Sequence, residues 1–206
     1  EGRAPPPEAM YFRGPVLWNF DGHRWSVPGF TISGSLDHAR AQSPVNYTVT
    51  VEPHGKHWLF ALDVPGTLPR FAGLRHDMEI RSIRPVDTRM RYEMTSYLDY
   101  RYGEKLSSGF RDLALSFDPA RNPRTIDLGR RWAAEAANPT EVLAKALRHF
   151  DLQFTYTLEP PLLTSRDPYD EFLFETKRGF CEHYAGSFAL LMRAAGIPSR
   201  VVTGYL

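Results

Sequence analysis

The sequence has little of what would settle its class at once. Its 206 residues include a single cysteine, which excludes an internal disulfide and argues against a cysteine-rich zinc site. No run approaches the roughly eighteen apolar residues of a membrane-spanning helix, and no signal-peptide pattern opens the chain. The formal net charge is only +1, so the chain has no overall field that attracts nucleic acid. With 42% hydrophobic and 24% charged residues, the composition is that of a folded globular protein.

The lone cysteine, Cys181, opens a pattern typical of an amphipathic helix. Apolar residues recur after it at three- and four-residue steps: Tyr184, Ala185, Phe188, Ala189, Leu191, Met192 and Ala195. Gly196 and Pro198 end this helix, and residues 200–205 are β-prone. The N-terminus of a helix stabilises an anion, so this position favours a thiolate and the oxyanion that forms when it attacks an acyl carbon. A cysteine packed as a small apolar residue is the alternative.

Two segments around this helix carry a resemblance to a known family. They read Gly-Phe-Cys-Glu-His-Tyr-Ala at 179–185 and Leu-Leu-Met-Arg-Ala-Ala-Gly-Ile-Pro-Ser-Arg-Val-Val-Thr-Gly-Tyr at 190–205. Both resemble the transglutaminase-like cysteine enzymes, which share a papain-like core. More narrowly, residues 154–161 and 170–174 are similar to bacterial inner-membrane transglutaminases of the TgpA type. In that type the transglutaminase domain lies in the periplasm, between transmembrane segments.

The resemblance implies that the full-length parent is a protein-glutamine gamma-glutamyltransferase, an acyltransferase. Cys181 would be the catalytic nucleophile, taking an acyl group from a protein or peptide glutamine donor and passing it to a primary-amine acceptor. The histidine and aspartate of the family's triad lie downstream of its cysteine. We therefore expect a chain truncated after the cysteine motif and inactive by itself. No metal or organic cofactor is implied. The location implied is a periplasmic region of a membrane-anchored parent.

Two alternatives stay open at this point. A cysteine protease or amidase can use the same fold, because it makes the same attack on an amide carbon. A noncatalytic module of the cell envelope, associated with the cell wall, would need Cys181 only as a packed residue. Amine incorporation, amide cleavage and thiol reactivity distinguish the three.

Three residues near the cysteine are candidates for a role in the site. An aromatic residue upstream of the cysteine helps to hold the oxyanion in animal transglutaminases, and a loose alignment places Tyr156 there. A tyrosine packed in a strand is the alternative. His183 follows the cysteine by two residues, about 200° around a helix, so we do not expect it to be the general base. Glu182 can raise the pKa of the thiol or pair with a neighbouring basic residue, and we assign it no catalytic role.

The chain upstream predicts an α+β fold. We predict that residues 1–117 form a β-rich N-terminal domain, a small sandwich or barrel, whose first eight residues are an extended linker. Residues 118–206 form the helical first part of a transglutaminase-like domain. Turn signals separate the predicted strands, which are Asn46–Glu52, Trp58–Asp63, Met78–Ser82, Met90–Tyr102 and Phe110–Phe117.

The second domain begins with two predicted helices. The first runs from Thr125 or Asp127 to Ala137, and the second is capped by Thr140 and Glu141. Residues 154–158 are extended, and residues 167–174 read as a short helix before the cysteine motif.

Several aromatic and basic residues have two interpretations. Trp18 and Trp25 can form a carbohydrate platform, but we favour a place in the core. The alternating arginines and tyrosines of 90–102 favour a solvated sheet face over a nucleic-acid surface, because acidic residues dilute the charge. His54 and His57 are three residues apart without a cluster of further ligands, so we expect a turn with two exposed histidines and no metal site.

Overall fold

The computed structural model describes residues 5–30, 32–36, 42–101 and 106–205. Within these ranges the strands β1 to β13 are Phe12–Leu17, Asn19–Phe20, Trp25–Ser26, Gln42–Val51, Trp58–Leu59, Ala61–Leu62, Val64–Pro65, Ala72–Leu74, Ile80–Ser82, Met90–Asp99, Thr155–Tyr156, Arg178–Gly179 and Val201–Tyr205. The helices α1 to α5 are Ser108–Leu115, Pro123–Glu135, Pro139–Gln153, Pro168–Glu171 and Cys181–Ala194. A 3-10 turn covers Pro7–Ala9, and a π-helical turn covers Phe172–Thr176. Strands β1 to β10 precede the first helix, and the five helices follow with three further short strands among and after them. This arrangement confirms the α+β prediction.

The chain divides into two compact units that interleave along the sequence. The first takes its described residues from Glu1–Val16, Pro28–Lys105 and Val202–Leu206, and the second from Leu17–Val27 and Leu106–Val201. The predicted domain boundary after residue 117 stays a prediction. The end of the predicted strand Met90–Tyr102, the turn signal that follows it and part of the predicted linker lie outside the described residues.

Strand β10, with ten residues, is as long as β4 and longer than the other described strands of the first unit. It pairs antiparallel with β4, from Met90 opposite Val51 to Asp99 opposite Gln42, and with the short β7 on its other side. Tyr92 and Met94 are buried, Arg91 and Glu93 are exposed and Thr95 is half-buried, which fits the two-residue period of a half-buried strand. The sheet-face interpretation of this segment agrees with that pattern.

Other predicted strands of this unit form with shorter bounds. Strands β5 and β6 fall within Trp58–Asp63, and β9 falls within Met78–Ser82. Met78 itself has a positive φ of 69°, so it belongs to the turn that precedes β9. The core of this unit contains Val51, Leu59, Ala61, Leu74, Met78, Ile80, Val86, Tyr92 and Met94.

The second unit is built around α5. Helix α2 packs closely on it, because Gly129 has no side chain: a Cβ there would lie 2.6 Å from the carbonyl oxygen of Leu191. Phe172, Leu173, Leu191 and Met192 join residues of α3 in one apolar cluster. The predicted helix after Cys181 is therefore confirmed, with its later turns buried and its first turn exposed.

The predicted strand Phe110–Phe117 is wrong, since helix α1 occupies Ser108–Leu115. Phe110, Leu113 and Ala114 recur at three- and four-residue spacing, so this short apolar run fits one face of a helix as well as a strand. Ala114 is buried, and its carbonyl oxygen accepts a hydrogen bond from the backbone N–H of Ser199. Contacts with residues distant in the sequence thus decide between the two structures.

The starts of α2 and α3 also differ from the sequence prediction. Helix α3 begins at Pro139, and its cap is Asn138, whose Oδ1 accepts from the N–H of Glu141 at 3.1 Å. The carboxylate of Glu141 in turn accepts from the N–H of Ala137, the residue before the cap, in an arrangement related to the capping box. Asp170 caps α2 from a distant segment, because its buried carboxylate accepts from the N–H of Arg124 and of Thr125.

Arg193 joins three segments of the second unit. Its side chain is 2% exposed, and its guanidinium donates hydrogen bonds to the carbonyl oxygens of Trp18, Ser116 and Ser199 at 2.5 to 3.1 Å. The guanidinium also lies 4.5 Å from the centre of the Trp25 ring, whose other contacts include a stack on Phe20. Burial lowers the pKa of Arg193 to about 10, so the group stays charged at neutral pH. Trp18 is 1% exposed, and its predicted place in the core is confirmed.

His149 lies on α3 among aromatic rings. Its ring centre is 5.4 Å from that of Trp132 and 5.2 Å from that of Phe154, both in edge-on contact. Nε2 is shielded from solvent and has no hydrogen-bond partner within the described ranges. Burial, and then the charge of Lys177, lower the pKa of His149 below its usual 6.5.

Replacement of Arg193 by methionine should destabilise the fold. The change removes the donor from three carbonyl oxygens, of which that of Trp18 is buried and the other two are partly buried, and we expect a loss of about 3 kcal/mol, less the desolvation cost that the charge no longer incurs. Urea unfolding should show a lower midpoint, while Arg130→Met on the exposed side of α2 should shift it little. Equal midpoints for the two variants would contradict this role.

His149 should make stability decrease in mild acid. Its folded-state pKa lies below the unfolded value, so its contribution is complete above about pH 6.5 and is lost as the pH falls towards the folded-state pKa. In His149→Gln this part of the decline should be absent. Urea midpoints of both proteins between about pH 7.5 and about pH 5 test the difference. Parallel pH profiles would show that protonation of this imidazole is not coupled to unfolding.

Candidate active site

Cys181 is the first residue of α5, as the sequence predicted. Phe180 precedes it in an extended conformation, with φ −119° and ψ −173°. The thiol side chain is exposed, so it is not packed as a small apolar residue. The first N–H groups of a helix have no intrahelical acceptor, and they point in the direction from which an anion approaches. The position therefore combines access to solvent with the positive end of a helix.

A short parallel ribbon delivers the chain to this cysteine. Strand β11 pairs with β12, with Tyr156 opposite Gly179, and the N–H of Thr157 donates to the carbonyl oxygen of Gly179 at 2.8 Å. Gly179 is buried, and a Cβ there would lie 2.8 Å from both Phe172 and His183. The glycine is thus required for space.

Two tyrosines lie near the first turn of α5. Tyr184 follows Cys181 by three residues, and residues at this spacing share one face of a helix. Its ring centre is 5.9 Å from that of Tyr156, whose side chain is 60% exposed. Burial, and then Tyr156, raise the pKa of Tyr184, so its hydroxyl stays protonated. The structure therefore brings Tyr156 close to the cysteine motif. The apolar pattern assigned Tyr184 only to the packed face of the helix, although its three-residue spacing from the cysteine also indicated a place near the thiol.

His183 takes part in the local structure of the helix terminus. Its Nδ1 accepts a hydrogen bond from the N–H of Phe180 at 3.4 Å, and its ring packs edge-on against Phe180 at 4.6 Å. A second ring contact, at 5.5 Å, is to Phe172. These contacts engage the imidazole at the cap, in line with the expectation that it is not the general base.

Glu182 is exposed beside the cysteine. Within the described ranges it forms no ion pair with the neighbouring basic residues Arg178 and Lys177. The ammonium of Lys177 instead donates to Oε1 of Gln153 at 2.8 Å. Glu182 adds a negative charge to this end of the helix and contributes to the raised pKa of Tyr169.

The side of α5 next to Glu182 is covered by aromatic groups. The hydroxyl of Tyr169 lies directly over Gly186, where a Cβ would approach it to 2.2 Å, and Nε1 of Trp25 lies beside it. Tyr169 and Trp25 both stack on Phe20. Trp25 therefore packs within the second unit, as predicted.

No group of three or more potential metal ligands occurs in the described part of the chain. His54 stacks on Trp58 at 5.6 Å, and Nδ1 of His57 lies 3.0 Å from the carbonyl oxygen of Ser82. Both histidines are half-buried, so the expected exposed pair is not observed. No helix among the described residues has the length and apolarity that crossing a bilayer requires.

Both parts of the sequence match known families. Residues 1–103 match the TgpA N-terminal domain, and residues 126–206 match the transglutaminase-like superfamily. The protein-glutamine gamma-glutamyltransferase of Pseudomonas aeruginosa is 36% identical over 207 residues, which cover all of this chain and 31% of that protein. The uncharacterized protein YebA of Bacillus subtilis is 44% identical over 54 residues, 25% of this chain and 7% of that protein.

Solved structures agree with these sequence matches. The crystal structure of the periplasmic domain of TgpA from Pseudomonas aeruginosa superposes with a TM-score of 0.93 at 36% identity, over 100% of this chain and 72% of that one. The same domain bound to ethylmercury gives a TM-score of 0.87 at 35% identity, over 98% of this chain and 72% of that one. The predicted resemblance is confirmed: the chain belongs to the TgpA family, with a TgpA N-terminal domain followed by part of a transglutaminase-like core.

Proposed function

We propose that the protein to which this chain belongs is a protein-glutamine gamma-glutamyltransferase and that Cys181 is its nucleophile. The observation that carries the proposal is an exposed thiol on the first residue of α5, within the segment that matches the transglutaminase-like superfamily. A Pseudomonas aeruginosa relative with this activity in its name supports it. Because this chain spans 31% of that relative, the activity is proposed for the longer protein.

The reaction proceeds in two acyl transfers. The thiolate of Cys181 attacks the γ-carboxamide carbon of a glutamine side chain, and the tetrahedral intermediate collapses to a thioester as ammonia leaves. A primary amine then attacks the thioester, forming an isopeptide bond and releasing the thiolate. Free N–H groups at the start of α5 stabilise the negative oxygen of each intermediate.

One group is needed as general base to deprotonate the thiol. In its protonated form the same group then acts as general acid towards the amide nitrogen, which leaves as ammonia. His183 is engaged at the helix cap, and the family's histidine and aspartate have no counterpart that we can assign within these residues. We therefore propose that residues 1–206 are inactive by themselves. Tyr156 adds a phenolic donor next to the cysteine motif, and we propose that it binds the same oxyanion.

The proposed setting follows the relatives. The periplasmic location of the matched structure supports a periplasmic site of action for this chain, with an anchor in the inner membrane elsewhere in the parent. The partners would be a protein or peptide glutamine donor and a primary-amine acceptor. We propose that residues 1–117 form a β-rich domain and that residues 118–206 form the domain that carries Cys181. In the noncatalytic alternative, the proposed role of the β-rich domain is association with the cell wall.

Replacement of Cys181 by alanine should abolish amine incorporation. In the longer parent, transfer of a fluorescent primary amine to a glutamine-containing protein should fall by at least about a thousandfold, because no other thiol is present in these residues. Glu182→Gln is the matched control on the neighbouring exposed residue, and it should keep most of the activity.

The products distinguish the competing functions. Peptide cleavage or ammonia release that requires Cys181, without amine incorporation, would replace the proposal with a protease or amidase. Absence of every one of these activities from a folded parent that contains the triad would favour the noncatalytic module.

Loss of the Tyr156 hydroxyl should slow the chemical step. Tyr156→Phe keeps the ring that contacts Tyr184 and removes one oxyanion donor, for which we expect a fall in kcat of roughly a hundredfold with KM nearly unchanged. Tyr184→Phe serves as the comparison for a neighbouring phenol. A change in KM alone, or no change, would assign Tyr156 to substrate contact or to packing.

A further inference from the structure

The first unit contains a groove that the proposed chemistry does not use. It has a volume of about 500 Å³ and lies on the sheet formed by β4, β10 and β7. Its lining consists of Asn46, Tyr47, Thr48, Thr67, Glu93, Met94 and Thr95. Volumes in this range are typical of sites for small ligands.

Four of the lining residues project from the outward face of the sheet. Thr48 lies opposite Glu93, and Asn46 lies opposite Thr95, in the antiparallel register of β4 with β10. They alternate with the buried side chains of Tyr92, Met94 and Ser96 on β10 and with half-buried side chains on β4, so they belong to the face away from the core. Short polar side chains with hydroxyl and amide groups thus lie side by side across the pair of strands.

The groove lies where the third strand of the sheet ends. Strand β7 stops at Pro65, and the N–H groups of Gly66 and Thr67 both donate to the carbonyl oxygen of Thr95. The N–H of Thr95 donates to Oγ1 of Thr67 at 2.9 Å, so a side chain replaces the next rung of the sheet. Beyond this point towards Met90, β7 provides no further pairing for β10, which leaves space beside Glu93.

Hydrogen-bonding capacity remains available in this space. Oγ1 of Thr95 donates to Oδ1 of Asn46 at 2.7 Å, which fixes the amide with its NH2 group directed away from that bond. Among the described residues, neither the Asn46 amide nitrogen, nor the Thr48 hydroxyl, nor the Glu93 carboxylate has a hydrogen-bond partner. No lysine or arginine lines the groove, so it lacks the charge that phosphate or another anion requires.

We propose that this groove binds a neutral oligosaccharide. Sugar hydroxyls both donate and accept, and they match a surface made of threonine hydroxyls, an amide and one carboxylate. Tyr97 continues the same face two residues beyond Thr95, with its ring packed over Gly66, and offers an apolar surface for a sugar ring. The proposal does not depend on Cys181.

Calorimetric titration of the 206-residue chain with N-acetylchitotetraose and with cellotetraose tests the proposal. We expect saturable binding of at least one of the two probes. Thr48→Val removes a hydroxyl and keeps the branched shape of an exposed strand residue, so affinity should fall roughly three- to tenfold. Thr50→Val is the matched control, because it lies on the same face of β4 outside the groove and should bind as the unchanged chain does.

Three outcomes would overturn the proposal. The first is absence of binding by either probe at millimolar concentration to a chain that unfolds cooperatively. The second is equal weakening by Thr48→Val and Thr50→Val, which would place the sugar elsewhere. The third is binding of a glutamine-containing peptide, in place of the sugars, with the same sensitivity to Thr48→Val, which would make the groove a peptide site.

Discussion

A buried guanidinium holds the second unit together. Arg193 reaches carbonyl oxygens from three segments that are far apart in the sequence, and within the described ranges no carboxylate neutralises it. A guanidinium that keeps its proton at neutral pH must keep its hydrogen-bond acceptors, because losing one would leave the charge poorly solvated. The helix that starts at Cys181 therefore ends in a fixed position at Ala194, two residues before Gly196.

The two ends of α5 have opposite environments, and this contrast suits catalysis. Its later turns are buried against α2 and α3, whereas its first turn carries the exposed thiol and Glu182. A nucleophile gains from a rigid support whose free N–H groups are already oriented towards the reacting atoms. The site is thus exposed at its surface and rigid underneath.

Local sequence patterns predicted the parts of the fold that depend on local contacts. The apolar spacing after Cys181 extends to Ala195 and the alternation along β10 extends from Met90 to Thr95, so the helix and the strand could be recognised. Phe110–Phe117 could not, because eight residues fit both periods and the choice depends on Ser199. The acceptors of Arg193 and the placement of Asp170 over α2 involve long-range hydrogen bonds, which leave no periodic trace in the sequence.

The candidate site shows the same division. Cys181 was proposed as the nucleophile from its helix position together with the family resemblance, and Tyr156 was proposed from the resemblance alone. The parallel pairing that brings β11 beside β12 joins residues more than twenty positions apart, so no local pattern could predict it. The need for glycine at position 179, where a side chain would meet Phe172 and His183, likewise required the folded chain.

The ribbon of β11 and β12 affects how this family can diversify. Its hydrogen bonds come from the main chain, from the N–H of Thr155 to Lys177 and of Thr157 to Gly179. Main-chain hydrogen bonds are available to any residue other than proline, so the side chain at position 156 can vary while the backbone beside the cysteine keeps its course. A substitution at position 156 would therefore change the group beside the cysteine without altering the main-chain ribbon that carries it.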